Sequence, residues 1–437
     1  MHKFYNREEE KELLKAIEIR SNESAEMTFV VGRRRVGKTA LLKNTFTSGK
    51  TLYFFTTKKN ETLLCEEFTD EIIQKLNVPV YGKIDSFKQL FTLLMDLSQR
   101  EHFTLIIDEF QELGNINQSI YSEMQNIWDS RKDKSMINLV LCGSVYSLMT
   151  KIFQNAKEPL FGRSTAHIHL KPFNIYTLKK ILSDYHPNYS SEDLLAFYTF
   201  TGGVAKYIEL LVKAKAFTKE QIIAALLTDN SIFLEEGKSV LIDEFGKDYG
   251  NYFSVLSLIA LSKNSRNEIE SILNISIGGY LEKLENEFNL IKKIRPFRAK
   301  PTGKNVKYQI EDNFLNFWFR FVYKYRSAVE IGNFEYLRNI LKRDYETYSG
   351  IMLEKYFRQK LIETKEFSEI SNYWDRKGEN EIDIIAVNEI EKRIVFYEVK
   401  RNNNRISIPS LKLKAKNIMQ NISDYDVEYK GLSMDDM

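Results

Sequence analysis

Gly32-Arg33-Arg34-Arg35-Val36-Gly37-Lys38-Thr39 fits the pattern G-x-x-x-x-G-K-[ST], a glycine-rich loop that leads from a strand into a helix. The flanks suit it. Met27, Phe29, Val30 and Val31 form an apolar run before the loop, and Thr39 to Phe46 reads as a helix after it. Gly32 and Gly37 let the backbone fold into a concave nest whose N–H groups face phosphate oxygens, and the positive end of the next helix points at the same charge. The spacing predicts that Gly32, Arg33, Arg34, Arg35, Val36, Gly37, Lys38, Thr39 and Ala40 surround the phosphates of a nucleoside triphosphate, ATP or its product ADP. Lys38 would reach the β- and γ-phosphates, and the Thr39 hydroxyl would bind Mg²⁺.

Working outward, apolar strand patterns recur at 27–31, 51–55, 103–107, 137–142 and 166–170, with helical patterns between them at 63–76 and 87–99. Strands alternating with helices predict a parallel sheet covered on both faces, with ligands beyond the carboxyl ends of the strands. The strand Phe103-Thr-Leu-Ile-Ile-Asp108-Glu109 ends in two acids, which are costly at a buried strand end unless they bind something. Asp108 fits a Mg²⁺ carboxylate, and Glu109 fits the group that orients the attacking water. Ser144, closing the run from Asn138, is either a γ-phosphate or water contact or a helix N-cap. Arg163, in Pro159-Leu-Phe-Gly-Arg163, is either a surface arginine or one that offsets transition-state charge, in cis or across a subunit interface.

Length and composition bound the rest. The 437 residues suggest about three domains, and 43% apolar residues suffice for ordinary cores. A formal net charge of +3 demands neither nucleic acid nor membrane as a global partner, so any basic surface is local. Cys65 and Cys142 lack pairing or metal spacing and are expected as small buried hydrophobes. The N-terminal residues do not form a signal peptide, and the longest apolar stretch, 137–149, is too short to span a bilayer. A cytoplasmic protein with no membrane partner is therefore expected.

Taken together, Phe4-x-x-Arg7-Glu8, residues 31–42, residues 103–109, residues 139–144 and residues 159–173 resemble the archaeal-type ATPase family. That family lies in the AAA+/STAND branch of P-loop NTPases. The resemblance implies ATP with Mg²⁺, the Walker-type roles of Lys38, Thr39, Asp108 and Glu109, Arg163 as sensor or finger, and an adenine near Phe4–Arg7. It is compatible with an oligomer.

The expected core, residues 1–173, is followed at 174–245 by helical patterns alone, a lid in the family's terms. Thr201-Gly202-Gly203 there reads as a tight helix–helix turn, although the family's usual Gly-Gly-x-Pro lacks its proline at Ala205. Residues 246–311 read as three short helices and a β-hairpin, the outline of a winged helix. Lys292, Lys293, Arg295, Arg298, Lys300, Lys304 and Lys307 make the hairpin a candidate DNA phosphate contact. The alternative is a module used for packing alone, and the acidic helix at 280–287 tells against sequence reading.

Residues 312–437 complete the expected α/β architecture. The aromatic stretch from Phe314 to Tyr323 reads as core. Two strands, 378–387 and 393–400, carry Asp383, Glu398 and Lys400, and period-two alternation puts Glu398 and Lys400 on one face. Two carboxylates and a lysine around a hard cation suit phosphodiester hydrolysis; a solvated hairpin face is the alternative. The triad resembles the PD-(D/E)XK nuclease superfamily, with Glu354 at its first acidic position, which would make Glu354, Asp383 and Glu398 metal ligands. Two functions follow: an ATPase whose nucleotide state gates DNA binding and cleavage, or an ATP-driven interaction switch with an inert nuclease fold.

Overall fold

The computed structural model describes residues 3–47, 49–246, 249–375, 378, 380–419 and 424–437. Glu379, inside the strand expected over 378–387, lies outside the described residues. The chain divides into two units, residues 6–171 and residues 1–5 with 172–437.

In the first unit five strands make a sheet: β1 (Glu26–Val31), β2 (Thr51–Phe55), β3 (Phe103–Asp108), β4 (Ile137–Cys142) and β5 (Ala166–His169). Their order is β2-β3-β4-β1-β5 and every pairing is parallel. β1, β3 and β4 are buried at every residue, which explains why apolar residues occupy both faces of each, with Thr28, Thr104 and Asn138 as buried polar exceptions, where an alternating pattern would mark a half-exposed strand. Helices Glu61–Leu76 and Phe87–Leu97 start at Asn60 and Ser86, whose side chains accept first-turn N–H groups. β4 separates β1 from β3, so the carboxyl ends of these three strands lie side by side.

In the second unit helices Ile175–Tyr185, Ser191–Thr201, Ala205–Lys213, Lys219–Leu226 and Ile232–Phe245 occupy the expected lid. They do not stand apart. One hydrophobic core runs from Ile175 through Phe200, Leu256, Phe314 and Tyr356 to Val395, crossing both expected boundaries, at 245 and at 311. The reason lies in helix Ser191–Thr201, buried all round from Asp193 to Thr201, which needs neighbours on every side. Its Phe200 ring meets Phe317 at 4.9 Å, its Tyr198 ring meets Tyr356 at 5.4 Å, and the Tyr198 carbonyl accepts the Asn313 amide at 3.2 Å.

Helices Tyr249–Ala260, Arg266–Leu273 and Gly278–Asn286 precede an antiparallel hairpin of β6 (Ile291–Ile294) and β7 (Lys307–Ile310). A 31-residue helix, Phe334–Thr364, leads to a mixed sheet of β8 (Glu369–Trp374), β9 (Glu381–Asn388), β10 (Arg393–Val399) and β11 (Asp426–Leu432), ordered β11-β10-β9-β8. The hairpin connection leans on this sheet. The Phe297 amide donates to the Asn372 carbonyl at 2.8 Å, and Phe297 is buried against Ile382, Ile385 and Phe396. Among the described residues no helix is long and apolar enough to cross a membrane.

Gly203 ties the start of this unit to its second helix. The Phe173 amide donates to the Gly203 carbonyl at 2.8 Å. Gly203 has φ +78°, and a Cβ there would stand 2.3 Å from the Phe173 carbonyl oxygen. Gly203→Ala should therefore cost at least about 2 kcal/mol by denaturant unfolding, from left-handed strain and overlap together. Gly202→Asn should cost less, because Gly202 (φ +55°) meets nothing closer than 3.3 Å and asparagine tolerates this backbone region.

Candidate nucleotide site and a carboxylate–lysine cluster

The loop 32–37 joins β1 to helix Lys38–Thr45. The two glycines serve different needs. Gly37 has φ +103°, which glycine adopts without strain, whereas a Cβ at Gly32 would stand 2.5 Å from the Leu170 carbonyl oxygen just beyond β5. Arg35 also takes a left-handed backbone, with φ +74°. Gly37 caps the helix without a side-chain hydrogen bond and no acid occupies the first turn, so its positive end suits an anion. Val36 is buried and Ala40 exposed. The Lys38 ammonium donates to the carbonyls of Gly32 at 2.6 Å and Arg33 at 3.1 Å. Around the loop, Arg7 donates to the Lys171 carbonyl at 2.6 Å. Burial first, then Lys171 and Arg33, hold the His169 imidazole below its usual pKa.

At the end of β3 the Asp108 carboxylate is buried and gathers three donors. Its Oδ2 accepts the hydroxyls of Thr39 at 2.8 Å and Tyr53 at 2.5 Å, and its Oδ1 accepts the Glu109 amide at 3.0 Å. A hydroxyl and a carboxylate oxygen this close form a hard-oxygen pair suited to Mg²⁺, so the residues fit the ion that the sequence implies. Glu109 takes φ +53°. Its Oε2 accepts Gln111 Nε2 at 2.6 Å and the Ser144 hydroxyl at 2.7 Å. The two readings of Ser144 thus part: Val145 is the N-cap of helix Tyr146–Gln154, and Ser144 holds Glu109. Cys142 lies between these groups, buried, and burial pushes its thiol pKa well up, so it stays protonated.

Tyr53 and Gln111 were missing from the sequence reading. Tyr53 reaches Asp108 only because β2 and β3 pair in register, Phe55 opposite Asp108. Gln111 carried a signal in its place two residues after Glu109.

For Arg163 the structure bears on the role in cis. The residue precedes β5, whose Ala166 pairs with Thr28 near the start of β1, whereas the phosphate loop follows Val31 at the other end. Strands rise about 3.3 Å per residue, so in cis its guanidinium sits at the opposite edge of the sheet. There it pairs with Asp129 at 2.9 Å and donates to the Phe161 carbonyl at 2.9 Å.

In the second unit, Asp383 of β9 and Glu398 of β10 approach each other through a lysine. Asp383 Oδ2 accepts the Val399 amide at 2.7 Å and Lys400 Nζ at 3.1 Å. Lys400 Nζ is 3.9 Å from Glu398 Oε1. Glu398 turns away to accept the Ser407 amide at 2.7 Å, with Lys414 at 3.7 Å. Glu354, on the long helix, has its carboxyl pKa raised to about 8 by burial and then by Asp383, with Lys400 opposing. The expected metal set Glu354, Asp383 and Glu398 is not assembled: among the described residues no three His, Cys, Asp or Glu side chains are grouped to hold an ion. Lys400 supplies the compensating charge instead. The cluster also lies at the ends of two inner strands, not at a sheet edge.

The hairpin cations divide. Lys292, Lys300 and Lys304 are exposed and Lys293 and Arg295 half-buried. Lys307 pairs with Glu381 at 3.1 Å, and Arg298 lies over Phe297 and Tyr425 at 5.3 and 5.6 Å.

The sheet, the loop and the Thr39–Asp108 pair define the core of a P-loop ATPase. Residues 4–211 match the family described as an ATPase domain predominantly from Archaea, and residues 318–418 match one described as "Archaea bacterial proteins of unknown function". The chain is thus similar to an archaeal-type ATPase domain over residues 4–211 and to that second family over residues 318–418. An uncharacterized protein of Methanocaldococcus jannaschii is 29% identical over 407 residues, 91% of this chain and 87% of its own length. The Walker-type ATPase of Pyrococcus abyssi shares the fold with a TM-score of 0.54 at 18% identity, over 72% of this chain and 96% of its own. The Aeropyrum pernix ORC2 protein, solved in ADPNP–ADP complexes, does so with 0.50 at 15%, over 71% and 91%.

Glu354 makes stability depend on pH. Its folded pKa of about 8 exceeds the ordinary value of about 4.3, so between them the native state holds an extra proton and stability falls as pH rises. Urea unfolding from pH 5 to pH 9 should show wild type losing ground to Glu354→Gln across that window; parallel curves would refute the assignment.

Proposed function

We propose that this chain is a Mg²⁺-dependent ATPase whose nucleotide state governs contact with DNA. The observation that carries the first half is the Thr39–Asp108 hydrogen bond at the mouth of the sheet, 2.8 Å long, with Glu109 one residue on. Mg²⁺, when bound, offsets charge on the β- and γ-phosphates. The loop N–H groups and Lys38 hold those phosphates, and Thr39 and Asp108 hold the ion. Glu109 would orient a water for attack, its carboxylate held in place at Oε2 by Ser144 and Gln111. Arg163 remains a candidate finger only toward the nucleotide of a neighbouring subunit in an oligomer.

The second half rests on residues 249–310, whose three helices and basic hairpin support a winged helix. Lys292, Lys293, Arg295, Lys300 and Lys304 would contact phosphate; Lys307 and Arg298, engaged with Glu381 and Tyr425, contribute less. For the C-terminal sheet we propose a PD-(D/E)XK-type fold. One observation favours the reading in which it is inert and the protein is an ATP-driven interaction switch: Lys400 stands 3.1 Å from Asp383, where a catalytic ion would have to displace it. The proposed setting is the cytoplasm, in the STAND manner of nucleotide-controlled switching.

Lys38→Ala should weaken Mg-ATP binding about ten- to hundredfold, the worth of a charged hydrogen bond, as read by calorimetry. Glu109→Gln should still bind ATP but hydrolyse it about 10²–10⁴-fold more slowly. Unchanged affinity in the first variant sinks the ATPase reading.

DNA affinity should fall steeply with salt and show little sequence preference. Changing Lys292, Lys293 and Arg295 to Ser should lower the log–log salt slope by about 2–3. Absence of binding at low salt refutes the DNA contact, and Mn²⁺-dependent cleavage of any DNA form, abolished in Asp383→Asn, refutes the inert reading.

A further inference from the structure

We infer that Tyr53 is a positioning residue for the divalent ion of the nucleotide site, its hydroxyl holding the Asp108 carboxylate in the orientation that lets Thr39 and Asp108 share one ion. The inference rests on the ATPase reading above and deepens it.

Tyr53 sits at the middle of β2, opposite Ile106 of β3, with both its backbone and its ring fixed. Its amide donates to Glu71 Oε1 at 2.6 Å, which occupies a donor on the outer side of an edge strand. The Lys43 ammonium stands 4.5 Å over the centre of its ring. From this anchored position the phenol donates to Asp108 Oδ2 at 2.5 Å, the same oxygen that accepts from Thr39 at 2.8 Å.

The two hydroxyls differ in what they do next. A hydroxyl binds a cation through an oxygen lone pair, so Thr39 would hold the ion with its oxygen while its proton stays directed at Asp108 Oδ2. Tyr53 belongs neither to the loop nor to its helix. It is the donor to Oδ2 that would take no part in holding the ion. Asp108 is buried, 3% exposed. Its rotamer is therefore set by these few donors, and groups that orient a ligating carboxylate contribute to metal affinity. The Tyr53 ring also lines an open cavity with Lys43, Lys50 and Lys75, so phenylalanine, which keeps the ring and removes only the hydroxyl, is the informative replacement.

Mn²⁺ bound in the presence of ADP can be counted by electron paramagnetic resonance without any turnover. Tyr53→Phe should bind Mn²⁺ roughly 10- to 100-fold more weakly than wild type, with ADP affinity in the absence of divalent ion unchanged. Wild-type binding with the same Mn²⁺ affinity in Tyr53→Phe overturns the inference alone. So does an equal loss of metal-free ADP affinity, which marks a structural role. A wild-type protein that binds no Mn²⁺ with ADP overturns the ATPase reading and this inference with it.

Discussion

The hydrogen bond from Thr39 to Asp108 is the constraint on which the nucleotide core depends. Its donor starts the helix after β1 and its acceptor ends β3, two strands that are not neighbours. It closes at 2.8 Å only because β4 holds the correct spacing and all three strands end at one level. The register secures this: Val30 pairs with Cys142 and Ile107 with Leu141. Strands with apolar residues on both faces are what allow such a sheet, since they pack on either side. The polar chemistry is thereby pushed to the strand ends, where Asp108, Glu109 and Ser144 collect.

Those strand ends were legible in the sequence because each element announced itself locally. The loop has its glycines and lysine, β3 has its terminal acids, and the hairpin has a turn between basic strands. What was not legible depends on pairing between distant segments. Tyr53 lies in Thr-Leu-Tyr-Phe-Phe, where an aromatic reads as ordinary strand filler; only the β2–β3 register brings its hydroxyl to Asp108. Arg163 narrowed in the opposite way, since the short run before β5 left a role in cis open while parallel pairing carries it to the far end of the strands. Helix Ser191–Thr201 was legible as a helix, but that it is buried all round, and hence belongs to the later core, follows from neighbours more than a hundred residues away.

The C-terminal residues were read correctly as neighbours, in the sense that Asp383 and Lys400 touch at 3.1 Å. Period-two alternation, however, cannot say whether close acids wait for an ion or are already neutralised. That depends on where Lys400, Lys414 and the Ser407 amide fall, and the last two come from beyond β10.

The two carboxylate sites therefore solve one electrostatic problem differently. At Asp108 hydroxyl and amide donors hold the carboxylate, and such donors orient the acid without cancelling its charge. At Asp383 an ammonium both orients and neutralises, and Glu398 has ammonium groups on two sides, at 3.9 and 3.7 Å. Glu354 shows part of what remains of the repulsion there, since its carboxyl resists ionisation through burial first and then through Asp383. An added divalent ion would meet negative charge already oriented at Asp108. At Asp383 it would have to pull a lysine out of a contact before gaining any attraction of its own, and two like cations competing for one carboxylate repel. Proximity of acids is common to both sites; the identity of their donors is what separates a seat for a cation from a closed ion pair.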